Sequence, residues 1–496
     1  MRLFKSYLVI TFLLSFGKIS GFLRDFLIAF YQGADRSSDI ALLLISLPDL
    51  FTNFILAGGF SSTLVPIFSS LSQTVSVSYF RSLSTQIFFL FSIFTAFIVI
   101  YSHLAIKLFL PSFSNSDISS FLPYFRITLI GVPITALTAV SQAYLLSEQN
   151  FKLSQSGTLF FNLSIIFFLL IPFDLPYFSK IVIAILLGVV LRYSVQFFAV
   201  KPFTYSSTLD KLTPSLIQLI RKLFPATLFS LSIIISPLIA RSFASTVDDG
   251  AFSLFTYAFK LSDLPITLIS GSFSTLLIGS LAESLSEDSE PNISLAAPVI
   301  RYSFMFSISM LIPLFIFTPE LIGFLFDRSS LSAEQLFSLI SLSRVSFLSI
   351  PSKGLLLFIL PLCTFLSKIR FLYLGFFLYL LITFVFSFVF TDALGLVGSS
   401  ASILLSSSIV TLVFFSYLSN SLRISFSRLV FCNPISSLLI PSLSSCFVGL
   451  IWQRFYNSPF LFIPASISCI LVFWFSASLS DPIVRQFFFK KFSRLF

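Results

Sequence analysis

Runs of apolar residues separated by short polar breaks recur along the whole chain. A helix of about 20 apolar residues crosses a hydrocarbon core roughly 30 Å thick, so each run is long enough to span a membrane. The breaks divide the chain into about fourteen such segments. These predicted spans lie near residues 7–30, 40–69, 84–110, 121–147, 157–173, 178–200, 222–244, 251–281, 302–326, 335–365, 371–390, 394–419, 434–453 and 459–479. The pattern predicts an all-α polytopic membrane protein.

The composition agrees with a lipid environment and excludes several function classes. Hydrophobic residues make up 56% of the 496 residues and charged residues 10%, whereas soluble domains carry about a quarter charged residues. The net charge of +10 is spread over short loops, so nucleic acid is not a predicted partner. One histidine and four scattered cysteines offer no metal-ligand spacing, and no ATP or dinucleotide motif is present. We therefore expect neither a cofactor nor an enzymatic activity.

The loop charges predict an orientation. With the amino terminus inside, most loop lysines and arginines fall on the cytoplasmic side, as the positive-inside rule requires. The basic segment 484–496 alternates phenylalanines with cations, which suits the anionic inner interface and its lipids. We predict a bacterial inner-membrane protein with both termini in the cytoplasm.

An internal repeat predicts the domain organisation. The segment 58–64, GGFSSTL, is echoed by 271–277, GSFSTLL, six predicted helices later. Duplicated helical bundles of this kind build many transporters, with the substrate path between them. We predict an N-terminal lobe at 1–205, a C-terminal lobe at 206–422, a terminal helix pair at 423–480 and a basic amphipathic cytoplasmic tail at 481–496. The alternative is a chance match in a sequence rich in serine and phenylalanine.

The first predicted helix carries all its polarity on one face. Lys18, Arg24 and Asp25 fall within about 60° of Gly21 at helical spacing. Lys18 and Asp25 are two turns apart, which allows a partial ion pair, while Gly17 and Gly21 allow bending or close helix approach. Charges inside a membrane are costly and mark functional sites. The positive excess on this face suits an anionic ligand.

The eighth predicted span repeats this arrangement. Lys260 and Asp263 are three residues apart, and Pro265 favours a kink beside them. Two lobes that each bring a cation and a carboxylate to a central cavity could hold a phosphate. The alternative is that Lys260 and Asp263 only neutralise each other. Arg344 and Lys353 are second-tier candidates for the cavity lining.

Two further cations lie near the ends of predicted spans. Arg126 and Arg192 are close enough to those ends to extend toward the interface, so we expect both to be structural.

Several motifs carry a family resemblance. They are GKISGFLRD at 17–25, Gly33-Ala34, Asp39, LPDL at 47–50, GGFS at 58–61, Val65-Pro66 and, more weakly, YAFKLSDLP at 257–265. Together they resemble the MurJ (MviN) family of lipid II flippases, in the multidrug/oligosaccharidyl-lipid/polysaccharide exporter superfamily. Pro48, Gly58 and Gly59 join Gly17, Gly21 and Pro265 as expected bending or packing residues.

The resemblance implies a function. Members flip the undecaprenyl-pyrophosphate-linked peptidoglycan precursor, lipid II, to the outer leaflet by alternating access, for cell-wall biogenesis and cell shape. It implies that central cations grip the pyrophosphate, that the last two helices border a groove for the lipid tail, and that cell-wall synthesis proteins are partners. Arg24 and Asp39 match polar family positions directly. Lys18 and Lys260 stand where the family usually has arginine. Lysine keeps the positive charge but loses the bidentate geometry of arginine.

Departures from the family pattern leave alternatives open. Thr52 stands where the family usually has arginine and Ala57 where it usually has glutamate, and the seventh and eleventh spans show no buried carboxylate for a sodium site. One alternative is a flippase for another lipid-linked saccharide, of an O-antigen or a capsule. A second is a non-transporting membrane scaffold. A drug or cation antiporter is disfavoured because its cavity should be acidic.

Overall fold

The structure is a computed structural model. It describes residues 2–55, 61–172, 174–200, 216–274, 277, 296–366, 368–422, 438–454 and 461–480. Over these ranges the chain is helical, with turns between the helices and no β-strand. The predicted fold class is confirmed.

Two compact units divide the chain. One comprises Met1–Thr256 and Ile369–Thr391, and the other comprises Tyr257–Lys368 and Asp392–Phe496. The first eleven helices in sequence order are α1 Arg2–Gln32, α2 Arg36–Ile55, α3 Ser61–Ser70, α4 Gln73–Ile100, α5 Ser102–Phe109, α6 Asn115–Leu129, α7 Gly131–Ser147, α8 Phe151–Leu170, α9 Tyr177–Val200, α10 Leu216–Ala244 and α11 Ala251–Pro265. The lobe boundaries inferred from the repeat remain a prediction.

The remaining helices follow a π-helical turn, Ile266–Ser270, which directly continues α11. They are α12 Ala296–Ile316, α13 Thr318–Phe326, α14 Ala333–Leu348, α15 Ile350–Phe365, α16 Ile369–Leu394, α17 Leu396–Leu422, α18 Ile440–Arg454 and α19 Phe462–Ser480. In the second unit, α12 packs against α15, α18 and α19, and α17 packs against α14 and α15.

Prolines account for three breaks inside apolar runs. A proline removes one backbone donor and its ring clashes with the carbonyl four residues earlier. Pro133 follows the break between α6 and α7, Pro319 the break between α12 and α13, and Pro351 the break between α14 and α15. The last pair bends by 44°. Each pair of helices occupies one predicted span.

The membrane character of the helices is clear, whereas their number as spans stays a prediction. Within the described ranges, eight helices are long and apolar enough to cross a membrane, or nine if the bent pair α14 and α15 counts as one span. On α4, the side chains of Phe89, Ile93 and Ile100 are 62%, 71% and 72% exposed. Such an apolar surface is stable only in lipid. Every predicted span coincides with a helix or a broken helix pair, but the total of fourteen remains a prediction.

Terminal helices α18 and α19 lie tightly on the second unit. A Cβ atom at Gly449 of α18 would lie 2.7 Å from Cδ1 of Ile316 in α12 and 3.4 Å from Sγ of Cys469 in α19. On the other face of α19, the Trp474 and Phe306 ring centroids are 4.2 Å apart. The described part of the predicted terminal pair is therefore close-packed, and the basic tail at 481–496 lies outside the described residues.

Candidate functional site

Small residues on α1 allow it to lie close to α8 in the first unit. A Cβ atom at Gly17 would make ordinary contact with Thr158 at 3.6 Å, and one at Gly21 would lie 3.3 Å from Nδ2 of Asn162. The Asn162 side chain occupies the space that a larger residue at position 21 would fill. These distances fit the expectation that Gly17 and Gly21 permit close helix approach, which stays a prediction.

Arg24 is buried in this interface and held by two polar partners. Its side chain is 3% exposed. Nε donates to Oδ1 of Asp25 at 2.8 Å, and Nη1 donates to Oδ1 of Asn162, also at 2.8 Å. The guanidinium carbon lies 5.9 Å from the centroid of the Phe161 ring. A buried guanidinium needs such partners, because an uncompensated charge costs several kcal/mol.

Lys18 is predicted to share this face of α1, and its side chain is exposed. Asp25 is 2% exposed and forms an ion pair with its sequence neighbour Arg24, while the partial pair with Lys18 that the sequence suggested stays a prediction. The Arg24–Asp25 pair is neutral overall, so the net positive charge of the predicted face rests on Lys18. Lys18 is exposed while Arg24 and Asp25 are buried, so the shared polar face of these three residues stays a prediction.

Asp39 caps helix α11. Its carboxylate accepts from the backbone N–H of Gly250 at 3.1 Å and from the backbone N–H and the hydroxyl of Ser253. These are the N-cap and N3 donors that a helix cannot satisfy internally. Gly250 has φ of +80°, and a Cβ atom there would lie 2.1 Å from the carbonyl oxygen of Ala34. The structure thus gives Asp39, which is 2% exposed, a structural contact in addition to its predicted role in binding.

An exposed cluster of charges lies next to this cap. Arg36 Nε donates to Asp249 at 2.7 Å, and Nη1 donates to Asp117 at 2.9 Å. The hydrogen bond to Asp249, with the charge of both carboxylates, raises the pKa of Arg36 above its ordinary value. Solvent screens ion pairs this exposed, so they contribute little to stability.

In the second unit, Lys353 is brought to an acid that the sequence did not indicate. Its ammonium lies 4.1 Å above the centroid of the Phe259 ring, and Asp263 acts on it electrostatically. Phe259 and Asp263 are one turn apart on α11, while Lys353 lies in the first turn of α15. Lys353 is 9% exposed. The aromatic face and the carboxylate together stabilise a cation that was only a second-tier candidate.

The other predicted residues of this unit are less enclosed. Lys260 and Asp263 are half-buried, and Arg344 is exposed. Pro265 ends α11 and is followed by the π-helical turn, while the expected kink at this proline stays a prediction. Pro48 is buried inside α2, while Gly58 and Gly59 lie outside the described residues.

Of the two cations expected near helix ends, one behaves differently from the expectation. Arg126 is exposed and donates to the Ser102 hydroxyl at 2.9 Å. Arg192 is 4% exposed, and a Cβ atom at Gly157 would lie 2.9 Å from its Cγ. Arg192 therefore packs inward against α8 because Gly157 leaves room for its stem.

Sequence reasoning missed Asn162 and Phe259 as site residues. Asn162 was detectable, because it is the one amide inside the apolar run at 157–173 and a buried polar group requires a partner. Phe259 had no such signal, since phenylalanine is abundant throughout the chain.

Similarity to known proteins covers most of the chain. A family model described as lipid II flippase MurJ matches residues 28–484. The probable lipid II flippase MurJ of Buchnera aphidicola subsp. Schizaphis graminum is 25% identical over 367 residues, covering 70% of this chain and 71% of that protein. The corresponding Aquifex aeolicus protein is 25% identical, covering 70% of each chain. The lipid II flippase MurJ of Burkholderia cenocepacia is 24% identical, covering 67% and 68%.

Solved structures show the same fold. A lipid II flippase MurJ in an inward closed conformation superposes with a TM-score of 0.77 at 18% identity, covering 98% of this chain and 99% of that one. An inward-facing multidrug resistance MATE family transporter of the MOP superfamily gives a TM-score of 0.64 at 18% identity, covering 83% and 95%. At this identity the likeness shows the fold alone, and it is the family match over residues 28–484 that shows membership. The chain belongs to the MurJ family of lipid II flippases.

Proposed function

We propose that this protein translocates lipid II from the inner to the outer leaflet of the bacterial inner membrane by alternating access, with both termini in the cytoplasm. The observation that carries the proposal is the family match, which spans residues 28–484. Membership of a flippase family supports a role as a transporter. Cell-wall synthesis proteins are proposed partners, since they consume the translocated precursor.

The proposed ligand chemistry follows from the cations. A pyrophosphate carries several negative oxygens, and arginine and lysine bind such groups through charge-assisted hydrogen bonds. We assign headgroup binding to Lys18, Arg24 and Lys260, with Lys353 in support. In this proposal Asp25 pairs with Arg24 whether or not a headgroup is present, and the pyrophosphate accepts from further donors of the same guanidinium. Asp25 thus keeps its partner, because an uncompensated buried carboxylate would be costly.

Complementation tests the proposal. A strain depleted of its own lipid II flippase should grow and keep its shape when this chain is expressed. Arg24→Ala and Lys260→Ala should each abolish rescue, because each removes a cation assigned to the pyrophosphate. Arg126→Ala is the matched control, since Arg126 is an exposed cation bonded to Ser102 and lies outside the assigned set. Membrane levels of every variant are compared by immunoblot.

The outcomes separate the alternatives. Full rescue by both variants would refute headgroup binding by these cations. Failure of the unaltered chain to rescue, together with rescue of a strain lacking the flippase for an O-antigen or capsule precursor, would assign another lipid-linked saccharide. A scaffold would lose function through surface substitutions and keep it when the cations are removed.

A further inference from the structure

Asn162 is placed so that its amide can adopt only one orientation. Its Nδ2 lies 3.0 Å from the carbonyl oxygen of Gly17 and 3.1 Å from the hydroxyl of Ser20. The carbonyl oxygen can only accept a hydrogen bond, so the nitrogen end of the amide must face it. The Ser20 hydroxyl itself donates to the Gly17 carbonyl at 2.8 Å, so it accepts from Asn162. Both contacts of Nδ2 thus require the same orientation of the Asn162 amide.

This orientation directs the other end of the amide at Arg24. With Nδ2 fixed on Gly17 and Ser20, Oδ1 is the atom presented to Nη1 of Arg24, at 2.8 Å. Asp25 holds the guanidinium through Nε on a second edge. Two bonds to different edges fix the plane of a guanidinium, which has its donors in a rigid fork. Gly21 contributes by leaving space for the amide.

A neutral amide has an electrostatic advantage here. Asp25 already offsets the charge of Arg24, and a second carboxylate beside Arg24 would make the cluster negative. Asparagine is the side chain of this size that accepts from the guanidinium, donates to the α1 backbone and adds no charge. We propose that Asn162 is a positioning residue for headgroup binding: it orients Arg24 from α8 and adds no negative charge beside the guanidinium that is assigned to the pyrophosphate. The inference rests on the proposed function, because it assigns Asn162 a role through Arg24.

The test compares substitutions of Asn162 in the full chain, purified and reconstituted in nanodiscs, with lipid II as the titrated probe. Asn162→Asp retains the size of the side chain and the acceptor for Arg24 but adds a negative charge. We expect it to weaken lipid II affinity about tenfold. Ser164→Ala is the matched control, because Ser164 lies two residues away on α8 and donates to the Ala184 carbonyl of α9. It should bind like the unaltered chain.

A double-mutant cycle separates positioning from a general structural effect. In an Arg24→Ala background, Asn162→Asp should change lipid II affinity less than twofold, because its target is gone. An equal loss of affinity with and without Arg24 would overturn the inference, as would unaltered affinity of Asn162→Asp in the presence of Arg24. If Asn162→Asp fails to accumulate, Asn162→Ser replaces it in the same cycle. It removes the amide oxygen without adding charge, so the same coupling to Arg24 is expected and its absence overturns the inference.

The same experiment distinguishes failure of the proposed function. If the unaltered chain does not bind lipid II, or if Arg24→Ala binds it equally well, the proposed function fails at Arg24. If Arg24→Ala loses binding while Asn162→Asp and Ser164→Ala both bind normally, only the assignment of Asn162 is wrong.

Discussion

Replacement of Asp39 by alanine should destabilise the protein even without substrate. The carboxylate accepts three hydrogen bonds, two from the backbone of Gly250 and Ser253 and one from the Ser253 hydroxyl. Loss of a helix N-cap costs about 0.5–2 kcal/mol. Each buried donor left without a partner adds about 1–3 kcal/mol. Since small rearrangements or water recover part of this, we expect Asp39→Ala to reduce the free energy of unfolding by about 3 kcal/mol.

Thermal unfolding in detergent measures this loss. The unfolding entropy of about 2.1 cal/mol/K per residue gives about 1 kcal/mol/K for a chain of this length, so a loss of about 3 kcal/mol lowers Tm by about 3 °C. Asp39→Asn should lose about half as much, because its one oxygen can serve Ser253 while its NH2 group faces the Gly250 N–H. Ser37→Ala, in the same turn of α2, is the control and should change Tm by less than about 0.5 °C.

The measurement also separates two roles of Asp39. A capping residue alters Tm in protein free of lipid II, whereas a residue that only binds the headgroup alters lipid II affinity and leaves the Tm of the free protein unchanged. An unchanged Tm for Asp39→Ala would refute the capping argument.

Three further substitutions test close contacts. Gly250→Ala should lower Tm more than Asp39→Ala, because the new Cβ atom would lie 2.1 Å from the Ala34 carbonyl oxygen. Gly271→Ala, whose Cβ atom meets nothing within 4 Å, is its control and should leave Tm equal or slightly higher. Gly354→Ala places a Cβ atom 2.5 Å from the Ser270 hydroxyl and should reduce the free energy of unfolding by about 1–3 kcal/mol. Adding Ser270→Ala should restore part of this stability, and no restoration would show that the contact is not the cause. Arg36→Ala should lower Tm by less than about 1 °C, since its ion pairs are exposed; a larger drop would show that they stabilise more than such pairs normally do.

The sequence was sufficient for the class of fold. In lipid the backbone must satisfy its own hydrogen bonds, and a helix needs about 20 apolar residues to cross the membrane. Long apolar runs therefore predict helices directly. Helical spacing alone predicts that Lys18, Arg24 and Asp25 lie toward one side of α1, where the structure exposes Lys18 and buries the other two.

Contacts between helices were not predictable in the same way. Asn162 meets Arg24 from a helix 138 residues away, and nothing local determines which face of α8 turns toward α1. Lys353 had no acid near it in sequence, and only the packing of α15 on the π-helical turn that continues α11 brings it near Asp263. Arg192 was expected to extend toward the interface, but Gly157 on the neighbouring helix gives its stem an interior place. The periodicity of the sequence determines which residues share a face of one helix. Which helix packs against that face depends on the surface shapes of both helices.

The bend between α14 and α15 gives serine hydroxyls a structural use inside an apolar span. Carbonyl groups at a bend in a membrane cannot be solvated by hydrocarbon. At this bend the Ser349 hydroxyl donates to the Ser346 carbonyl at 2.6 Å, and the Ser352 hydroxyl donates to the Ser349 carbonyl at 3.1 Å. The backbone N–H groups of Ser349 and Lys353 donate to the same two carbonyls, so each hydroxyl supplies a second bond of the kind that water supplies in a soluble protein. Serine lets a helix change direction at membrane depth while remaining dry.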